Sequence, residues 1–202
     1  MAGRRRGGAD TRAEILAAAR AEFSDKGYDA ASLRGVARAA GVDPALVHHY
    51  FTGGKEELFA AAMELPVDPS VVLPRFLAGD LDTVGERLVR VLMEVWGSPA
   101  ARTPILAVVR SAMTHERAAA MLRGFVTKAI VGRIAARLDT PDAMVRANLM
   151  ASQLVGLAML RYVIRVEPLA SLPEDEVVAL IAPTIQRYAT GVLTEAELQI
   201  RS

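Results

Sequence analysis

The chain has no cysteine among its 202 residues. That excludes disulfides, thiolate zinc sites and cysteine nucleophiles together, and it suits a reducing compartment. Aromatic residues are scarce at 5%, against 52% hydrophobic residues overall, so Ala, Leu and Val carry most of the apolar content. Such a mixture favours helices packed on helices. No stretch alternates polar and apolar residues for long enough to read as a strand, and the expected fold class is all-α. A long apolar run is missing too. The greasiest segment, 147–164, is interrupted by Asn148, Gln153 and Arg161, and its longest unbroken apolar run is Leu154–Leu160. A bilayer-spanning helix needs ~20 such residues. The basic start, Arg4-Arg5-Arg6, leads into Gly7-Gly8-Ala9-Asp10 and not into an apolar core, so no secretory signal is read. The expectation is a soluble, cytoplasmic protein with no membrane partner.

Recognisable catalytic chemistry is also absent. His115 is isolated, with no serine–histidine–carboxylate set and no paired-carboxylate motif around it. His48 and His49 are adjacent, so on a helix they point about 100° apart, and no third ligand lies nearby; no metal site is expected. Gly53-Gly54-Lys55-Glu56 fails as a phosphate-binding loop, because His49 stands where its first glycine belongs and Glu56 replaces Ser/Thr. Neither an enzyme nor a cofactor is expected. Net charge is +1, so bulk charge does not announce a nucleic-acid partner. Residues 1–55 nevertheless carry nine basic residues (4, 5, 6, 12, 20, 26, 34, 38, 55) against six acidic ones (10, 14, 22, 25, 29, 43), a modest local surplus.

What is present is a series of well-punctuated helices. After a basic arm over 1–9, Thr11-Arg12-Ala13-Glu14 matches a capping box, with Ile15, Leu16, Ala19 and Phe23 on one face and Gly27 as the stop. Ser32 caps a second helix with Leu33, Val36, Ala37 and Ala40 on its apolar face, ended by Gly41. Asp43 caps a third that carries Pro44 at its first position and runs through Phe51. Two short helices joined by a glycine-centred turn form the helix-turn-helix signature. Lys55-Glu56-Glu57 opens a fourth helix to about Leu65. Prolines 66, 69 and 74 mark a connector, and further helices are read at roughly 82–97, 104–114, 116–138, 141–166 and 173–190.

The run from Thr11 to Leu58 resembles the N-terminal domain of the TetR family of bacterial regulators. The residues that carry the resemblance are Ile15–Ala18, Phe23, Gly27-Tyr28, Ser32–Val42 (SLRGVARAAGV), His48–Phe51 (HHYF) and Lys55–Leu58 (KEEL). Further on, Gln153–Tyr162 (QLVGLAMLRY) is similar to the dimer-forming penultimate helix of one branch of that family. Three departures stand out: Gly35 where a helix former is usual, one extra residue between Phe51 and Lys55, and His48 in place of a tyrosine.

The resemblance implies a DNA-binding domain over 10–65 and a dimerisation and ligand-sensing domain over 66–202. With the third helix in the major groove, Pro44, Ala45 and Leu46 face bases, while His48, Tyr50 and Lys55 touch the backbone; His49 shares the exposed face. Pro, Ala and Leu can meet thymine methyls but offer no side-chain hydrogen bonds, so Arg34 on the second helix is the candidate reader of guanine O6/N7. Ser32 is a candidate phosphate contact as well as a cap, and Arg4, Arg5 and Arg6 are candidates for a minor groove. For the dimer, Leu154, Gly156, Leu157 and Arg161 on one helix and Val177, Ile181, Ile185 and Tyr188 on the last are the expected interface, because the former helix is apolar on more than one side. Met63, Met93, Trp96, Arg110, Met113, Met121, Phe125 and Gln153 are the candidate lining of an apolar effector pocket; core packing is the other use of such residues. The expected function is a transcriptional regulator, a repressor that binds a palindromic operator as a homodimer and is released by a small, mostly apolar ligand. The alternative is a helical interaction protein that has lost DNA binding.

Overall fold

The computed structural model describes residues 8–65, 68, 72–74 and 77–193, with side chains from Asp10 onward, and all of its regular elements are helical. They are α1 (Gly8–Ala30), α2 (Leu33–Ala40), α3 (Pro44–Tyr50), α4 (Gly54–Ala62), a 3₁₀ turn (Leu81–Thr83), α5 (Val84–Gly97), α6 (Pro99–Thr114), α7 (Glu116–Phe125) continued by a π-helical segment (Val126–Val131) and α8 (Gly132–Ala135), α9 (Ala143–Ala158) continued by a second π-helical segment (Met159–Ile164), and α10 (Glu174–Thr190). The residues form two compact units. One comprises the chain to Val72 together with Ala100–Ala129, the other Leu73–Pro99 together with the chain from Ile130.

Several helix ends differ from the sequence reading. Helix α1 already begins at Gly8. Thr11 is therefore inside the helix, nearly buried, and cannot take the extended conformation that a cap requires. Gly27 does break the helix, with φ of 75°, a value that glycine adopts without a Cβ penalty. Helix α4 ends at Ala62 and not Leu65, where Glu64 turns to φ of 56°. Helix α6 starts at Pro99, which takes the first position; Pro104, the expected start, falls in the second turn and gives up one backbone hydrogen bond there.

In the first unit the core is aromatic. Phe59 packs edge-on against Phe23 (5.0 Å) and Tyr28 (5.2 Å) and stacks on Phe125 at 4.4 Å between centroids. Gly124 permits this approach, since a Cβ there would stand 3.1 Å from that of Tyr28. In the second unit, α5 and α10 cross closely at Gly85, where a side chain would collide with the Ala182 carbonyl. The Gly85 N–H donates to Gln186 Oε1 (2.9 Å), and Gln186 Nε2 donates to the Leu81 carbonyl (2.7 Å). Val84, Val89, Met150, Val177 and Ile185 fill the space between these helices and α9.

Helix α9 with its π-helical continuation, Ala143–Ile164, is 22 residues long with a mean hydropathy of 1.3, and only 28% of its apolar stretch is buried in its own chain. It is not a membrane span. Arg146 and Arg161 lie within it, both buried and both bound to protein groups. Arg146 Nε donates to the Asp142 carboxylate (2.8 and 2.9 Å) and Nη1 to the carbonyls of Tyr188 (3.0 Å) and Gly191 (2.9 Å), so it closes the C-terminus of α10 onto the start of α9. Burial pushes the Asp142 carboxyl upward, but the hydrogen bonds and charge of Arg146, with smaller contributions from Thr140 and the backbone, together outweigh it and hold the group below the usual carboxylate range. Removing one member of such a buried pair strands the other. Arg146→Met is therefore expected to lower stability by about 3 kcal/mol in denaturant unfolding. Because the native carboxyl titrates below its ordinary value, the part of this contribution that depends on the ionised Asp142 is complete at neutral pH and disappears as pH falls through that lowered value. The wild type should lose that part in acid and the variant should not.

Candidate nucleic-acid interface

The helix-turn-helix is built by three local devices. The Ser32 hydroxyl accepts from the Gly35 N–H at 3.0 Å and starts α2. Gly41, at φ of 66°, ends it, and the Val42 N–H returns to the Ala37 carbonyl at 3.0 Å. Asp43 then accepts from the Ala45 N–H at 2.8 Å, with Pro44 at the first position of α3. Val47 and Phe51 are completely buried and hold α3 down. Its outer face carries Pro44, Ala45, His48 and His49 exposed, with Leu46 and Tyr50 half-buried. Ser32 and Arg34 are exposed beside it at the start of α2. Arg4, Arg5 and Arg6 lie outside the described residues.

Gly35 now has a physical reason. An added methyl would run into Glu22 Oε1 of α1, and Glu22 is engaged with Lys26 at 2.6 Å. Alanine would favour the helix by up to ~1 kcal/mol but would displace this carboxylate. The extra residue before Lys55 is explained in the same way. Gly54 adopts φ of 73°, while its neighbour Gly53 has an ordinary φ of −74°. The insertion is therefore absorbed as one left-handed residue, and α4 begins with the Gly53 N–H donating to Glu57 Oε2 at 2.7 Å.

Lys55 is placed differently from a free phosphate clamp. Its ammonium donates to the Asp29 carbonyl at 3.1 Å and lies 4.7 Å from the centroid of the Tyr28 ring. Burial pushes its pKa below the usual lysine value; Lys128 adds to this and Asp29 opposes it. The Asp29 carboxylate in turn pairs with Lys128 at 2.7 Å. Sequence reasoning missed Asp29 and Lys128, whose only signal was their charge.

The expected dimer residues separate into two groups. Leu157, Val177 and Ile185 are buried within their own chain, and Arg161 is buried with its guanidinium on the carbonyls of Leu169 and Leu172. These four are corrected: they build the second unit, which needs an apolar stripe of α9 and of α10 for itself. Leu154, Gly156, Ile181 and Tyr188 stay half-buried. The large apolar side chains left outside on these two helices and the π-helical continuation are Met144 (45% exposed), Val155 (57%), Leu160 (42%), Ile164 (62%) and Leu180 (66%).

The expected pocket residues differ in exposure within each unit. In the first, Phe125 and Met121 are core while Arg110 and Met113 point outward, Met113 being 81% exposed; Met63 is half-buried. In the second, Met93 is buried and its sulfur accepts from the Tyr162 hydroxyl at 3.3 Å, Trp96 is half-buried and Gln153 exposed. An open groove of about 500 Å³ in this unit has Thr83, Glu86, Arg90, Asp175, Val178 and Gln186 on its walls, and none of the expected residues.

Residues 15–62 match the family described as bacterial regulatory proteins, tetR family, and residues 82–189 match the tetracyclin repressor-like C-terminal domain. A TetR-family regulator from Streptomyces coelicolor A3 is 38% identical, over 93% of this chain and 99% of that one, with a TM-score of 0.49. A putative transcriptional regulator from Streptomyces coelicolor A3(2) is 22% identical over 90% of this chain and 99% of its own, with a TM-score of 0.53. No curated protein matches.

The two glycines before Lys55 make opposite demands, which gives a direct test. Gly54→Ala places a Cβ at positive φ and is expected to destabilise the protein by ~1 kcal/mol or more, whereas Gly53→Ala should be nearly neutral in thermal unfolding. Equal effects at the two positions would contradict the left-handed turn.

Proposed function

The chain belongs to the TetR family of DNA-binding bacterial regulators, and we propose that it is a cytoplasmic repressor that grips a palindromic operator as a homodimer and releases it when a small, mostly apolar ligand binds. The observation that carries the DNA-binding part is the capped α2–turn–α3 unit. Val47 and Phe51 anchor α3 from beneath while Pro44, Ala45, His48 and His49 stay exposed. A recognition helix has to be rigidly held and outwardly polar or small in this way. Gly35 and Gly54 leave that geometry intact, so neither argues for a lost DNA-binding activity. Arg34, exposed on α2, has a planar donor fork suited to a guanine edge.

A dimer is supported by the outer face of α9 and α10. Val155, Leu160, Ile164 and Leu180 are large, apolar and exposed on elements otherwise needed for the core, and a second copy of the same face would cover them about a two-fold axis. Release by a ligand rests on the resemblance and on the adaptable methionines that fall in the segment 63–150 together with Trp96.

A gel shift with the DNA upstream of the protein's own gene tests the central reading, and salt-sensitive, sequence-specific retardation is expected. Arg34→Ala should weaken operator binding by ~1–3 kcal/mol and relax the choice at one base pair per half-site; an unchanged base-preference profile would remove Arg34 as the reader. For the interface, Val155→Glu with Leu180→Glu should give folded monomers by sedimentation, whereas Leu157→Arg should unfold the chain. Wild-type protein that sediments as a monomer at micromolar concentration would sink the dimer. Trp96, the single tryptophan, reports on the effector: a compound that quenches it should weaken operator binding over the same concentration range.

A further inference from the structure

Arg12 lies on the second turn of α1, outside the helix-turn-helix signature, and its side chain is exposed. Its guanidinium carbon stands 5.4 Å from the centroid of the Phe51 ring. Phe51 closes α3 and is completely buried, so the ring holds the Arg12 guanidinium near the C-terminal end of the recognition helix. Among the described residues no hydrogen bond or ion pair engages this guanidinium. An arginine that lays its face on an aromatic ring keeps its five N–H donors at the edge, and that edge matches a phosphate.

We propose that Arg12 is a phosphate contact of the DNA interface, held in place by the Phe51 ring and reading no base. It takes over part of the role that the sequence assigned to Lys55, whose ammonium is already occupied by the Asp29 carbonyl and the Tyr28 ring. The inference rests on the DNA-binding reading above and adds a residue of α1 to it. A backbone contact contributes equally to every sequence and appears as salt dependence, with a slope of about 0.9 in log K against log salt for each neutralised phosphate.

The test measures binding of the full-length protein to a labelled mixed-sequence duplex and to its upstream DNA across a salt series, for the wild type, Arg12→Ala and Arg12→Lys. With one contact in each half-site, Arg12→Ala should lower the magnitude of the slope by about 2, so that the wild type loses about tenfold more affinity than the variant between 50 and 200 mM salt. Base preference should stay unchanged. Arg12→Lys should keep the wild-type slope, because the charge remains. A thermal unfolding midpoint recorded beside each curve separates a structural role, which would move the midpoint and leave the slope alone. A wild-type slope in Arg12→Ala, or a slope lost equally in Arg12→Lys, overturns the inference while leaving the DNA-binding reading standing. A wild-type protein that shows no salt-dependent binding removes both.

Discussion

Phe59 is the residue on which the DNA-facing half of the molecule depends. It lies on α4, immediately after the helix-turn-helix, and its ring meets Phe23 and Tyr28 of α1 and Phe125 of α7. Each aromatic pair in such an arrangement adds ~0.5–1.5 kcal/mol beyond the burial of its area. The larger consequence is geometric. Helix α3 has only seven residues, too few to be stable alone, so its position is inherited from α2, on which it packs. Helices α2 and α4 both pack on α1, and the aromatic cluster fixes α1 and α4 to each other.

The polar contacts above the same cluster follow from it. Tyr28 presents one side of its ring to Phe59 and Phe125 and also receives the Lys55 ammonium. Asp29, next in sequence, uses its carbonyl for Lys55 and its carboxylate for Lys128. The Asp29–Lys128 pair is more than half exposed on both sides, so in water it stabilises by little, ~0–1 kcal/mol. Its effect is on position: it connects the π-helical segment that follows α7 to the end of α1 at the point where α4 begins. Displacing Lys128 would change the field felt by Lys55 without breaking the aromatic core.

The local part of this architecture was legible in the sequence. Ser32, Gly41, Asp43 and Pro44 act within three or four residues of themselves, and their caps stand where the residue types placed them. Helix ends that depend on distant partners were not legible. Thr11 looked like a cap because Glu14 stands three residues on, yet the helix passes through it. The inward and outward sides of α9 and α10 were confused for a related reason. Helix α9 is apolar on more than one side, and α10 carries apolar residues beyond those its core takes, so periodicity could not tell Leu157 and Ile185, which the core takes, from Val155 and Leu180, which it leaves. Arg161 looked like an interface residue, but an arginine in an apolar helix can also be buried if carbonyls meet it, as those of Leu169 and Leu172 do. Arg12 gave no signal beyond its charge, since the partner that places it is an aromatic ring 39 positions away.

A net charge of +1 sets a limit on how this protein can find DNA. Long-range attraction from the whole molecule is negligible, and beyond about 8 Å it is screened at physiological salt. Affinity must then come from a few cations held at fixed positions, and here the distinction between the arginines and Lys55 matters. Arg34 and Arg12 are exposed, whereas Lys55 is partly desolvated and already bonded inside its own unit. In the proposed docking the bases beneath Pro44, Ala45 and Leu46 would meet carbon, which distinguishes thymine by its methyl and little else. A reader of this kind makes few direct hydrogen bonds to bases, so its selectivity has to depend on how well the duplex lets the surrounding phosphate contacts close together, which is a property of DNA shape as much as of base edges.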